Sequence, residues 1–226
     1  SNQAELLQAV NGAYAPLRSL GLNAWKFGEM RSDNTADFET NTGGEQMELI
    51  DQFLIISTND NVISLWSQSY IGISRCNAIL DHVDAAVGIP DEIKKMYIGQ
   101  TKFLRAFYYF QLVRQFGGVP LRTTFIQAAT DALSKGRSTK EQIYEQILSD
   151  VGVAIDGLPS SYSGTDIGRA TKGAALMMRD EIYMTQKKVT EALADLRTLQ
   201  TLGYSLLTNY KDIFDPLKKN NSESIF

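Results

Sequence analysis

The sequence has one cysteine, Cys76, and one histidine, His82, among 226 residues, so a zinc site built from Cys and His is excluded. Nor do the two suit a Cys–His nucleophilic pair. Cys76 falls in a helical pattern, where a lone cysteine behaves as a small buried hydrophobe. His82 follows Asp81 near an expected helix end, a solvated place. The carboxylates offer no acid–base couple either. Asp91-Glu92 and Asp180-Glu181 are adjacent in sequence, so on a helix they diverge and cannot flank one bond. Gly43-Gly44 and Gly117-Gly118 lack both the Lys-Ser/Thr and the glycine spacing of phosphate-binding loops. A net charge of -4, with Lys218-Lys219 as the densest basic spot, argues against a nucleic-acid surface. The chemistry left open is recognition without a cofactor, not bond cleavage.

Positioning falls to helices. A hydrophobic content of 43% supports a substantial core, yet no run of about 18 apolar residues exists to cross a membrane. The first helix is expected over 4–19, with Pro16 kinking or ending it. The regular pattern then fails over 21–59, which reads as a long loop, and loops of that length are functional or disordered. Helices follow at about 61–83 and 91–116. The second holds Phe103, Leu104, Phe107, Tyr108 and Leu112 at helical spacing. Gly117 can close it and Pro120 forbids its resumption. Phe107 is expected to be deeply buried, and Arg105 to be a buried cation paired with a carboxylate. Trp66 and Tyr70 read as core. Tyr108 and Tyr109 are not expected to face the core together, and one hydroxyl is expected to find a polar partner. Ser138 and Glu141 form a capping box that opens a helix ended by Pro159. Two more helices, 171–185 and 188–202, make a hairpin close in length to the roughly 34-residue tetratricopeptide unit, which needs stacked neighbours. Gln52–Ile56 is the best strand candidate, and Ser224–Phe226 a second. The fold class is all-α, with tetratricopeptide-like repeats, long loops and little strand.

Several segments form a recognisable set. They are the aromatic helix and its stop, Lys102–Leu121; Trp66-x-x-x-Tyr70-x-x-Ile73-x-x-x-Asn77; and Gly168-Arg169-Ala170-Thr171-Lys172-Gly173-Ala174-Ala175. Gly203-Tyr204-x-Leu206 with Tyr210-x-x-x-Phe214, and the closing Asn221-x-Glu223-x-Ile225-Phe226, complete it. Together, and in this order over nearly the whole chain, the motifs resemble the SusD/RagB family of outer-membrane nutrient-binding lipoproteins of Bacteroidetes.

The resemblance implies a non-catalytic glycan-binding protein that hands oligo- or polysaccharide to a TonB-dependent SusC-like outer-membrane transporter. It implies a surface-exposed outer-membrane lipoprotein whose N-terminal lipid lies outside this chain, since Cys76 sits mid-helix. Family members are more than twice as long, so 1–226 is expected to be the N-terminal helical-repeat portion without the C-terminal half. The segment Gly28–Asn34 resembles a family stretch beside the ligand surface. A glycan platform needs aromatic faces for sugar rings and planar polar groups for hydroxyls. Trp25, Arg31, Asp33, Asn34, Asp37 and Phe38 are therefore the candidate ligand-binding residues. Arg31 and Asp33 could instead pin the loop by a salt bridge, and Trp25 could be a core anchor. A helical-repeat module that binds protein and no sugar is the alternative.

Overall fold

The computed structural model describes residues 2–36, 45–128, 130–131 and 135–226. Seven α-helices and no strand are found among them: α1 Gln3–Gly28, α2 Glu45–Asp51, α3 Asp60–His82, α4 Asp91–Phe116, α5 Lys140–Gly157, α6 Lys172–Thr185 and α7 Val189–Gln200. Successive long helices pack as neighbours, α1 on α3, α3 on α4, α4 on α5, α5 on α6 and α6 on α7. This is the stacked, all-α arrangement expected from the helical periods. The core follows α4, where Phe103, Leu104, Tyr108, Tyr109, Phe110 and Leu112 are all buried.

Local signals explain the ends of these helices. Asn2 accepts from the Glu5 amide at 3.0 Å while Glu5 accepts back from the Asn2 amide at 3.2 Å, a capping box that starts α1. Asn59 caps α3 by accepting from Asn61 and Val62. Gly117 stops α4 with φ +70°, a conformation closed to most side chains. The α5 cap differs from expectation by one residue, since Thr139 and Gln142 form the box instead of Ser138 and Glu141. The reason is that the Ser138 amide is already committed to the Val119 carbonyl at 3.0 Å, in an extended pairing outside the helix.

Other expectations are corrected. α1 does not stop at Ser19. Pro16 sits inside it, buried, and the helix runs on because Leu20 and Phe27 continue its packing against the core. Trp25 is consequently a helical residue and not a loop one. Gln52–Ile56 and Ser224–Phe226 form no strand. The first follows the end of α2, and the second lays the Phe226 ring on Phe103 at 5.0 Å. Tyr108 and Tyr109 are both buried, because each hydroxyl finds a backbone carbonyl: Tyr108 donates to Ala13 at 2.6 Å and Tyr109 to Arg122 at 2.8 Å. The Tyr108 ring lies so close on Gly72 that a Cβ there would collide with it. Phe107 is only half-buried, since it lines two grooves, one toward α1 and α3 and one toward α6. Trp66 is 37% exposed and not core.

At the centre lies the expected buried cation. Arg105 donates from Nε and Nη2 to the two oxygens of Asp150 at 2.7 and 2.8 Å, and from Nη1 to Asn77 at 2.8 Å and the Thr123 carbonyl at 3.1 Å. Lys102 and Gln146 complete the shell of Asp150. Burial opposes the Arg105 charge, but the hydrogen bonds and charge of Asp150 outweigh it and hold its pKa up. Cys76, beside Asn77, is fully buried, and burial pushes its thiol up.

Candidate ligand-binding surface

The last turn of α4 gathers three parts of the chain that are far apart in sequence. The Gln115 side chain accepts from Arg31 Nη1 at 2.8 Å. The Arg31 guanidinium also stands 5.7 Å from the centroid of the Phe53 ring, a cation–π distance. Phe116, next along, meets Trp66 edge to face at 5.1 Å, and Trp66 contacts Tyr70 at 5.0 Å. Tyr70 donates to the Pro120 carbonyl at 2.7 Å, and burial raises its pKa.

Phe53 has an unusual backbone. Its φ is +58°, the left-handed region that a bulky side chain rarely adopts. The cause is local: the Phe53 amide donates to Ile50 and the Leu54 amide to Leu49, the paired bonds that close a helix in a Schellman turn. Glycine is the ordinary occupant of that position. Here a phenylalanine occupies it with two-thirds of its surface exposed.

Arg31 belongs to a turn that follows α1. Met30 anchors the turn by burial, and Ser32 and Thr35 donate to the Glu29 carbonyl at 2.7 and 2.6 Å. Asp33 and Asn34 are thereby held at the surface. The alternative pinning bond does not form, since Arg31 pairs with Gln115 and not with Asp33. Trp25, 44% exposed on the penultimate turn of α1, is not a core anchor. Asp37 and Phe38 lie outside the described residues.

A groove of about 270 Å³ runs between the end of α1, α3 and α4. Phe27, Leu65, Phe107 and Gln111 line it, and Gln115 joins it to the Arg31 turn. Trp25 is not among its lining residues. Among the described residues no group of three or more His, Cys, Asp or Glu side chains could hold a metal. The arrangement offers exposed ring surface at Phe53 and Trp66 beside the Arg31 guanidinium, which among the described residues bonds only to Gln115, and the polar tips of Asp33 and Asn34. That combination suits apolar ring faces edged by hydroxyls.

Phe53, Trp66, Gln115 and Phe116 were not singled out as ligand contacts from sequence. Helical spacing at Trp66 and Tyr70 shows a shared face but not whether another element covers it. Phe53 leaves no signal in sequence, because its strain arises only once α2 ends there.

Comparisons with known proteins bear on this geometry. The family model described as "Starch-binding associating with outer membrane" matches residues 1–184. SusD-like protein P25 of Formosa agariphila is 28% identical over 234 residues, a match that takes in 100% of this chain and 44% of that protein. A solved laminarin-binding SusD-like protein superposes with a TM-score of 0.90 at 27% identity, covering 100% of this chain and 50% of that one. Surface glycan-binding protein A from Bacteroides thetaiotaomicron, solved in complex with laminarihexaose, gives a TM-score of 0.84 at 25% identity, with 100% and 49% covered. The chain spans less than half the length of the curated relatives it matches.

Proposed function

The chain belongs to the SusD-like family, and from that premise we propose that it is the helical half of a non-catalytic glycan-binding protein at the outer-membrane surface. The longer protein would be anchored by an N-terminal lipid ahead of this chain. It would capture oligo- or polysaccharide and deliver it to a TonB-dependent SusC-like transporter. The following half of the protein would pack over the helices and complete the binding site.

The observation that carries this reading is the pair Phe53 and Arg31. An exposed aromatic ring is held in the conformation that glycine normally takes, with a guanidinium over it. Strain of this kind in a bulky residue points to a purpose other than stability. Stacking of one sugar on such a ring contributes roughly 1–3 kcal/mol, by analogy with base–aromatic stacking. Arg31, Asp33 and Asn34 supply hydrogen bonds to hydroxyls. Trp25 and Phe38 would add aromatic surface, and Asp37 a further polar group for hydroxyls. The family resemblance and the laminarin-binding neighbour make β-glucan a reasonable first probe, and the family description adds starch.

The test is calorimetry on the full-length protein with laminari- and malto-oligosaccharides. Phe53→Ala and Arg31→Ala should each weaken binding about tenfold while circular dichroism stays helical. Wild-type affinity in both folded variants would remove this surface from the site.

A second reading has its own observation. Leu206, Tyr210, Phe214 and Leu217 are 69–93% exposed, an uncovered apolar run after α7. Runs of that kind mark protein contacts, as a repeat module without sugar binding would require. Full-length protein that binds no glycan, yet retains a protein partner through these residues, would favour this reading.

A further inference from the structure

We propose that the binding surface continues past the aromatic platform into a second, largely polar subsite in the groove beside α5, which engages the outlying sugars of a chain held on the platform. This inference rests on the reading of the Phe53–Arg31–Trp66 surface given above.

The second subsite is an open groove of about 610 Å³ between the extended segment after α4 and the exposed face of α5. Its lining carries the side chains of Thr123, Lys135, Arg137, Gln142, Glu145 and Ser149. Among the described residues no aromatic side chain lines it. Hydroxyls, amides and charged tips of both signs form the inventory that sugar hydroxyls bond to. Without a ring to stack on, however, the groove has little means to retain a lone sugar. It becomes useful to a chain already held next door.

The two areas adjoin through two separate links. Arg137, which lines the groove, donates to the Phe116 carbonyl at 3.0 Å, and the Phe116 ring carries Trp66. Tyr70, tilted against Trp66, donates to the Pro120 carbonyl, and Leu121, the next residue, lines the groove.

The groove wall is also rigid in a way that an ordinary connector is not. The segment 119–125 has no helical or sheet bonds of its own, yet buried and partly buried side chains hold it along its length. Tyr109 donates to the Arg122 carbonyl at 2.8 Å and accepts from the Arg122 amide at 2.7 Å. Asn77 donates to the carbonyls of Arg122 and Thr124 at 3.0 and 3.1 Å. Arg105 donates to Thr123, and Asp81 accepts from the Phe125 amide at 2.7 Å. On the other side the Ser138 amide pairs with Val119. Opposite, Gln142, Glu145 and Ser149 are spaced three and four apart, so one face of α5 presents them together. A fixed wall lowers the ordering cost of binding, which suits a shallow site for a long ligand.

The experiment measures affinity against chain length. Full-length wild type, Ser149→Trp (which fills the groove from an exposed position of α5), Lys135→Ala and Arg31→Ala are titrated with laminari- and malto-oligosaccharides from dimer to octamer. Wild-type affinity should keep rising beyond the trimer. Ser149→Trp should lose about tenfold on the longest chains and nothing on the shortest, and Lys135→Ala should show the same trend more weakly. Arg31→Ala should weaken every length. If Ser149→Trp binds the octamer as tightly as wild type while Arg31→Ala is impaired, the second subsite is overturned and the first stands. If Arg31→Ala binds all lengths normally, the underlying reading fails. Binding of no member of either series overturns both.

Discussion

Arg105 and Arg31 both reach α4 or its partners, yet they occupy opposite regimes. Arg105 is 3% exposed and spends four hydrogen bonds on Asp150, Asn77 and Thr123. Arg31 is half-buried at the end of α4, with one hydrogen bond to Gln115 and a ring beneath it. The first guanidinium is consumed by the fold, and its removal leaves the buried Asp150 carboxylate with only Lys102 and Gln146. The second has, among the described residues, a single hydrogen-bond partner. Residue type is the same in both; what separates scaffold from site is how many of the five N–H groups are already engaged.

The comparison is tested most severely at Asp150. Asp150→Ala leaves Arg105 buried with half its partners, and breaking such a pair costs about 3–5 kcal/mol. A urea melt should show that loss; a shift under about 1 kcal/mol would mean that water or Asn77 replaces the carboxylate. Phe107→Ala comes next, at about 1–2 kcal/mol, below the full price of a core phenylalanine, because its ring is only partly withdrawn from water. Phe53→Gly should go the other way. Glycine fits the left-handed turn, so the variant should gain about 1 kcal/mol in the same melt while losing glycan affinity. A variant that is destabilised would show that the Phe53 ring supports the fold. Arg31→Ala should change stability by less than about 0.5 kcal/mol.

The smallest effect concerns a buried carboxylate with the reverse arrangement to Asp150. Arg179 pairs with Asp195 at 2.6 Å, and Asp180 Oδ1 is buried with no hydrogen-bond partner among the described residues. Burial, and then the charge of Asp195, raises the Asp180 pKa. The folded state therefore holds this proton more tightly than the unfolded chain does. Its contribution is fully present below the ordinary carboxylate range and is lost as pH rises through the raised value. Asp180→Asn should raise the melting temperature near neutral pH and leave it unchanged in acid. Equal shifts at both pH values would remove ionisation as the cause.

Much of this architecture was legible in the sequence because it is written at short range. The period of α3 and α4, the Gly117 stop and the turn between α6 and α7 each depend on residues within a few positions of one another. Arg105 was legible too, since a charge amid Leu104 and Ala106 must find a partner inside. What escaped was set at long range. The partners of Tyr108 and Tyr109 are carbonyls on other segments, so hydroxyls that looked incompatible with a shared core are both satisfied. Pro16 looked like a stop, but packing of Leu20 and Phe27 carries α1 through it. For the candidate site, Arg31, Asp33 and Asn34 were reached through a family-like stretch, whereas Phe53 and Trp66 needed the third dimension. Periodicity identifies a helix face and is silent on whether anything lies over it.

Cys76 supplies a clock. It is the sole thiol in the sequence, it is wholly enclosed, and its neighbour Asn77 is bonded to Arg105 and to the segment 119–125. Within this sequence a thiol reagent has one target, and it reaches that target only when the packing around α3 opens. With reagent in sufficient excess that modification outpaces reclosing, the labelling rate reads the opening frequency of the innermost layer without denaturant. Comparing that rate with and without saturating oligosaccharide would reveal whether ligand held at the rim of the molecule steadies its centre.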